Sequence, residues 1–240
     1  MDHSSPGPSL LFDFDSTLVQ VEGADELFAE TLANAPDRGG RLARFREITD
    51  QGMAGEIPYE QSLRLRVGLL RASRADVARV GEALVGELTP SVHRNRDWIV
   101  RNRSRIWIVS GGFHELIAPV ATELGIAPAR ILAHRFRWSA EGFTVGVDPG
   151  TALARGGKPA AVREAGIPAP IWVIGDGATD LELREVGLAT HFFAFVENRR
   201  RSAVVEAADG VLERLEDLPD PAFTHRHRSH SSPSPTQDKN

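Results

Sequence analysis

The 240-residue chain contains no cysteine. Disulfides, thiolate metal ligands and cysteine nucleophiles are therefore excluded, and a reducing compartment is compatible. Long apolar runs are lacking as well. The longest, such as "IWIV" and "IWVI", fall far short of the roughly 20 residues that cross a bilayer. The N-terminus, MDHSSPGPSLLFDFD, has neither a cationic start nor an apolar stretch of signal-peptide length. A dominant charge is also missing. The formal net charge is −5, and the arginines are scattered rather than gathered into a stripe. Neither nucleic acid nor membrane is indicated as a partner, and a soluble, cytoplasmic protein is the expectation. The remaining composition, 41% hydrophobic and 25% charged, is enough for one large domain or two unequal ones.

Three short segments read as strands buried on both faces. They are "LLFDF" (Leu10–Phe14), "RIWIVS" (Arg105–Ser110) and "IWVIGD" (Ile171–Asp176). All are rich in aliphatic and aromatic residues, without polar alternation, as in a parallel sheet covered by helices. Helical patterns follow the second and third in "GGFHELIAPVATELG" and "DLELREVG". These repeats predict an α/β fold with a doubly wound, mostly parallel sheet. Polar groups cluster at the carboxyl ends of the three strands, where ligands bind in open α/β sheets.

Between the first two strands, "GADELFAETLA" (Gly23–Ala33), "RLARFREITDQ" (Arg41–Gln51) and "YEQSLRLRVGLLR" (Tyr59–Arg71) carry apolar residues at helical spacing. "SRAD" (Ser73–Asp76) reads as a capping box opening a further helix. Pro36, Gly39–Gly40 and Ile57-Pro58 read as breaks. The stretch is too long for a simple crossover and predicts a small helical domain inserted over the sheet edge. The expected division is a core of residues 9–20 and 91–218 and a helical insertion of residues 21–90. "ILAHRFRW" and "FTVGVD" around "SAEG" predict a β-hairpin with Gly142 in the turn. Residues 219–240 are polar and predict a disordered tail, in which His225, His227 and His230 are incidental.

Two carboxylates in an apolar strand need a reason, because burying an unpaired charge is costly. Asp13 and Asp15 are two residues apart, so in a continuing strand they share a side. Repulsion between them is relieved by a cation or by a proton on one of them. Asp176 ends another strand and can join them, with Asp180 nearby. Oxygen ligands without histidine or cysteine suit a hard cation, Mg²⁺ above all. A lone aspartate here would more simply cap a turn. In "SGGFHELI", the Ser110 hydroxyl, the glycine N–H groups and a helix N-terminus offer a cradle for phosphate or carboxylate. Lys158, in "GGKPAA" at a helix start, is disfavoured by the helix dipole unless an anion lies nearby.

"DFDSTL", "SGGF", "GGK" and "GDGATDLE" occur in that order and together resemble the four motifs of the haloacid-dehalogenase-like phosphohydrolases. The helical insertion resembles the cap of that superfamily. Longer stretches, "DSTLVQVEGADELF" and "GMAGEIPYEQSLRLRVGLL", are similar to its phosphoserine phosphatases, and the likeness spans residues 10 to about 190. The resemblance implies Mg²⁺-dependent hydrolysis of a small phosphorylated amino acid through an aspartyl-phosphate. It implies Asp13 as nucleophile and Asp15 as acid and base. Ser110, Gly111 and Lys158 would bind phosphate. Asp13, the Asp15 carbonyl and Asp176 would hold the metal, with Asp180 supporting. Glu22 would meet the substrate ammonium and Arg66 its carboxylate, with Met53, Thr179 and Tyr59 lining the pocket. Phosphothreonine, homoserine phosphate, phosphotransfer and a catalytically silent binding role are the alternatives. Thr179 stands where many members have asparagine, and Arg199–Arg201 matches nothing in the pattern. The sequence leaves a homodimer open.

Overall fold

The computed structural model describes residues 7–32, 37–53, 56–220 and 223, without the side chains of Met53 and Tyr59. The first strand is β1 (Ser9–Phe12). Helices α1 (Gly23–Thr31), α2 (Arg38–Met53), α3 (Tyr59–Leu69) and α4 (Arg74–Ala83) follow it. Short helices α5 (Pro90–Arg94) and α6 (Arg96–Asn102) lead into β2 (Ile106–Phe113), α7 (His114–Glu123) and β3 (Ile131–His134). A hairpin, β4 (Phe136–Trp138) and β5 (Thr144–Val147), precedes α8 (Ala152–Ala165). The chain then runs through β6 (Ile171–Gly175), α9 (Ala178–Glu185), β7 (His191–Phe195), α10 (Ser202–Ala207) and β8 (Gly210–Leu212).

Six strands form one sheet in the order β3-β2-β1-β6-β7-β8, and every neighbouring pair is parallel. All four residues of β1 are buried, as its unbroken apolar run demands. Its side chains alternate between two apolar layers. Leu10 and Phe12 join Ile106, Ile108 and Ile117 on one face. Leu11 joins Val109, Val162, Val173 and Leu183 on the other. Strand order reverses between β1 and β6, so their carboxyl ends flank a crevice, the usual place for a ligand in such a sheet. No described helix is long and apolar enough to cross a membrane.

The capping box read at Ser73 is present. The Ser73 Oγ accepts from the Asp76 N–H at 3.2 Å, and the Asp76 carboxylate accepts from the Ser73 N–H at 2.9 Å. Loss of that cap in Ser73→Ala is expected to cost about 1 kcal/mol, read as a lower urea midpoint at an unchanged slope. Helix α4 packs closely on α7 through Gly81, where an added Cβ would lie 3.1 Å from the Glu115 carbonyl.

Several expectations need correction. Gly39 and Gly40 lie inside α2 rather than breaking it; at the first turn, glycine interrupts few helical hydrogen bonds. Pro36 lies outside the described residues. "ILAHRFRW" is not one hairpin arm. Ile131–His134 pairs with β2 at the sheet edge, and only Phe136–Trp138 pairs with β5. Gly142 does occupy the turn, at φ +82°. Two sheet strands, β7 and β8, went unread because "HFFAF" sits against a charged segment and "GVL" is only three residues long. Packing also continues past Pro219: Asp220 pairs with Arg105, and Phe223 stacks on Trp98 at 4.7 Å. His225, His227 and His230 lie outside the described residues.

Candidate active site

The site begins where β1 ends. The Asp13 N–H donates to the Ile174 carbonyl at 2.9 Å, extending the β1–β6 ladder by one residue and fixing Asp13 at the crevice. The chain then turns sharply. The N–H groups of Thr17, Leu18 and Val19 all converge on the Phe14 carbonyl, at 3.2, 2.9 and 3.1 Å. Ser16 sits at φ +54°, a left-handed conformation rare outside glycine and enriched at functional sites. Its hydroxyl donates to Glu22 at 2.8 Å. Asp13 and Asp15 therefore share a cavity through a turn, not along a continuing strand.

Asp15 is held from the side of α1. Its Oδ1 accepts from the Gly23 N–H, at the start of α1, at 2.8 Å. Burial raises its pKa well above the usual carboxylate range; Glu22 and Asp13 add to this, and Gly23 and Arg66 oppose it. At the end of β2, the Ser110 hydroxyl accepts from the Gly112 N–H at 3.0 Å. A Cβ on Gly112 would lie 3.0 Å from the Asp15 carboxylate, so a glycine permits this approach.

Lys158 reaches the crevice because α8 is broken. Gly157 has φ +65°, a conformation that favours glycine, and Lys158 opens the longer half of the helix. Its ammonium is 2.9 Å from Asp13 and 2.6 Å from Asp180. Burial alone would depress its pKa, but these two carboxylates outweigh burial and raise it, so the lysine stays charged. Burial and Asp13 push Asp176 up to about 6, against the Arg201 guanidinium. The same two causes push Asp180 upward, against Lys158.

Asp13, Asp15, Glu22, Arg66, Ser110, Gly111, Lys158, Asp176 and Thr179 all line one cavity of about 70 Å³. Ala24, Leu63 and Phe113 give it apolar walls. Asp180 lies behind the lining. The Met53 and Tyr59 side chains fall outside the described residues. The Arg66 Nε is buried and has no hydrogen-bond partner, an orphaned donor in need of an acceptor. The structure also brings in a residue without a role in the sequence reading. Arg201 lines the cavity and donates from Nε to Asp176 at 3.1 Å.

The carboxylates of Asp13, Asp176 and Asp180 offer oxygens all within 4.8 Å of one another. Such an oxygen-only set, in which burial and the neighbouring Asp13 charge push the Asp176 and Asp180 carboxyls upward, fits a hard divalent cation. Both Asp180 oxygens are engaged, one by Lys158 and the other by the Gly177 N–H at 3.2 Å. That leaves Asp13 and Asp176 better disposed to ligate. A half-buried carboxylate at a strand end, a second carboxyl of raised pKa and a fixed ammonium beside oxygen ligands suited to a cation are components that phosphoryl transfer can use.

Known proteins bear the same stamp. Residues 10–185 match the haloacid dehalogenase-like hydrolase family. A chloroplastic phosphoserine phosphatase of Arabidopsis thaliana is 33% identical over 214 residues, covering 88% of this chain and 70% of that protein. The Bos taurus phosphoserine phosphatase is 30% identical over 214 residues, covering 88% and 91%. Among solved structures, a phosphoserine phosphohydrolase-like protein from Francisella tularensis superposes with a TM-score of 0.78 at 28% identity, covering 88% and 98%. A phosphoserine phosphatase in a phospho-aspartyl intermediate analogue form superposes at 0.69 with 27% identity, covering 88% and 95%. Sheet order, switch-point carboxylates and sequence agree: this chain belongs to the haloacid dehalogenase-like hydrolase family.

Proposed function

We propose that the chain is a Mg²⁺-dependent phosphatase that hydrolyses O-phospho-L-serine to L-serine and phosphate. The observation that carries this reading is the single cavity that joins Asp13, Ser110 and Lys158 to Glu22 and Arg66. One set suits a phosphoryl group and the other an amino acid.

In this reading the Asp13 carboxylate attacks phosphorus in line with the ester oxygen, forming an aspartyl-phosphate. Asp15 gives its proton to the departing serine oxygen, a role its raised pKa favours. Ionised by that transfer, Asp15 takes a proton from the water that cleaves the acyl phosphate. Ser110, the Gly111 N–H and Lys158 hold the phosphoryl oxygens. Asp13, the Asp15 carbonyl and Asp176 would hold Mg²⁺, with Asp180 bracing Lys158. When bound, the cation neutralises charge on the phosphoryl group and orients it toward Asp13. Residues 21–90 act as the cap over a core of residues 9–20 and 91–218, excluding water and reading the amino acid. Met53, Thr179 and Tyr59 belong to that pocket.

Glu22 meets the substrate ammonium and Arg66 its carboxylate. In Arg66→Ala, kcat/KM for O-phospho-L-serine is expected to fall about 10–100-fold, the scale of a lost charge-assisted hydrogen bond. Turnover of an aryl phosphate lacking the carboxylate should change less than about threefold. Equal losses on both substrates would remove the carboxylate role.

A further inference from the structure

The segment after β7 reaches back over the crevice. Glu197 accepts from the Ser91 N–H at 3.0 Å and from the Ser91 hydroxyl. The Asn198 amide donates to the Ser16 carbonyl at 3.1 Å and to the Thr89 hydroxyl at 2.6 Å. Arg199 lies 3.4 Å from Glu22. These contacts pin the segment to the turn that follows Asp13 and Asp15. Arg201 is thereby aimed into the cavity, with its Nε 3.1 Å from the Asp176 Oδ2 and its side chain 21% exposed. Arg200, between them, is exposed and pairs with none of the described residues.

From this geometry we propose that Arg201 is a positioning residue for the cation site: it fixes the Asp176 carboxylate so that its free oxygen lone pairs face Asp13. The inference rests on the Mg²⁺ reading above. Asp176 is 5% exposed. A buried carboxylate whose partner is removed loses the contact that fixes its orientation. The guanidinium also repels a cation. The carboxylate lies between them, however, and partners that orient metal ligands are worth about 10–100-fold in metal affinity. Orientation therefore outweighs repulsion, and removal of Arg201 weakens binding.

The test is calorimetric titration of Mg²⁺ alone into the metal-free full chain at fixed pH and ionic strength, with circular dichroism as a check on folding. Asp176→Asn in the parent identifies the heat of this site. Arg201→Met is expected to weaken Mg²⁺ binding about 10–100-fold, and Arg201→Lys to recover part of the loss. Arg200→Met, which removes the same charge from an exposed position, should stay within about twofold. Should Arg201→Met fail to fold, Arg201→Lys against the parent carries the comparison, with several-fold weaker binding expected. Binding by folded Arg201 variants as tight as the parent's, or an equal loss in Arg200→Met, overturns the proposal. A parent that takes up no Mg²⁺ overturns the metal reading itself and this inference with it.

Discussion

Asp13→Asn is expected to slow phosphate release from O-phospho-L-serine by at least about 10⁴-fold, the scale seen when a nucleophile is removed from a covalent mechanism. The amide is nearly isosteric, so the fold should be retained. The Asp13 backbone contact to Ile174 is untouched, and what is lost is the carboxylate charge that would attack phosphorus, pair with Lys158 and ligate the metal. An amide cannot form an acyl phosphate under these conditions, whatever the state of Asp15 or Lys158. The variant should also stop transferring label from ³²P-phosphoserine to protein. Retained activity in a folded Asp13→Asn would mean that another group attacks phosphorus. Asp15 is the nearest candidate, but its carboxyl is engaged by Gly23 and its raised pKa makes it a poor nucleophile at neutral pH.

Lys158→Met should damage stability as well as activity. The ammonium is 5% exposed and is shared by Asp13 and Asp180 at 2.9 and 2.6 Å. Removing one partner from a buried ion cluster typically costs about 3–5 kcal/mol, because the remaining charges stay desolvated. The loss should appear as a lower urea midpoint in the metal-free chain. Its pH dependence has a definite sign. Burial and Asp13 already hold the Asp180 carboxyl above its unfolded value, at about 8, and without the lysine it rises further. Stability is then present at low pH and is lost as pH rises through the folded pKa values. The gap between parent and variant should therefore be wider at pH 9 than at pH 6. A gap of the same size at both values would mean that the lysine contributes packing rather than charge.

Much of this site was legible because strand and motif coincide. The unbroken apolar runs around Leu10, Ile106 and Ile171 identify buried parallel strands, and the polar groups at their ends fall where such a sheet binds ligands. The capping box at Ser73 was readable because its two partners are three residues apart. Longer-range features were not. No local pattern announces that Asp15 would accept from Gly23, that Ser16 would adopt a positive φ, or that Ile131–His134 would leave its hairpin for the sheet edge. Arg201 was hidden for a related reason. Three adjacent arginines carry no periodicity, and only the position of β7 aims one of them at Asp176. One available signal went unused: of 28 Lys and Arg residues, only Lys158 and Lys239 are lysines. In so arginine-rich a chain, a lysine between two glycines and a helix is conspicuous. A compact ammonium fits beside a phosphoryl group where a planar guanidinium fork demands more room.

The most direct measurement is phosphate release by the full chain from O-phospho-L-serine, O-phospho-L-threonine and an aryl phosphate, with Mg²⁺, with EDTA, and with Mg²⁺ restored. The expected result is turnover that requires Mg²⁺, disappears with EDTA and returns on restoration, with kcat/KM greatest for O-phospho-L-serine. No release from any of the three with Mg²⁺, undiminished release in EDTA, or kcat/KM for the aryl phosphate equal to that for phosphoserine would contradict it.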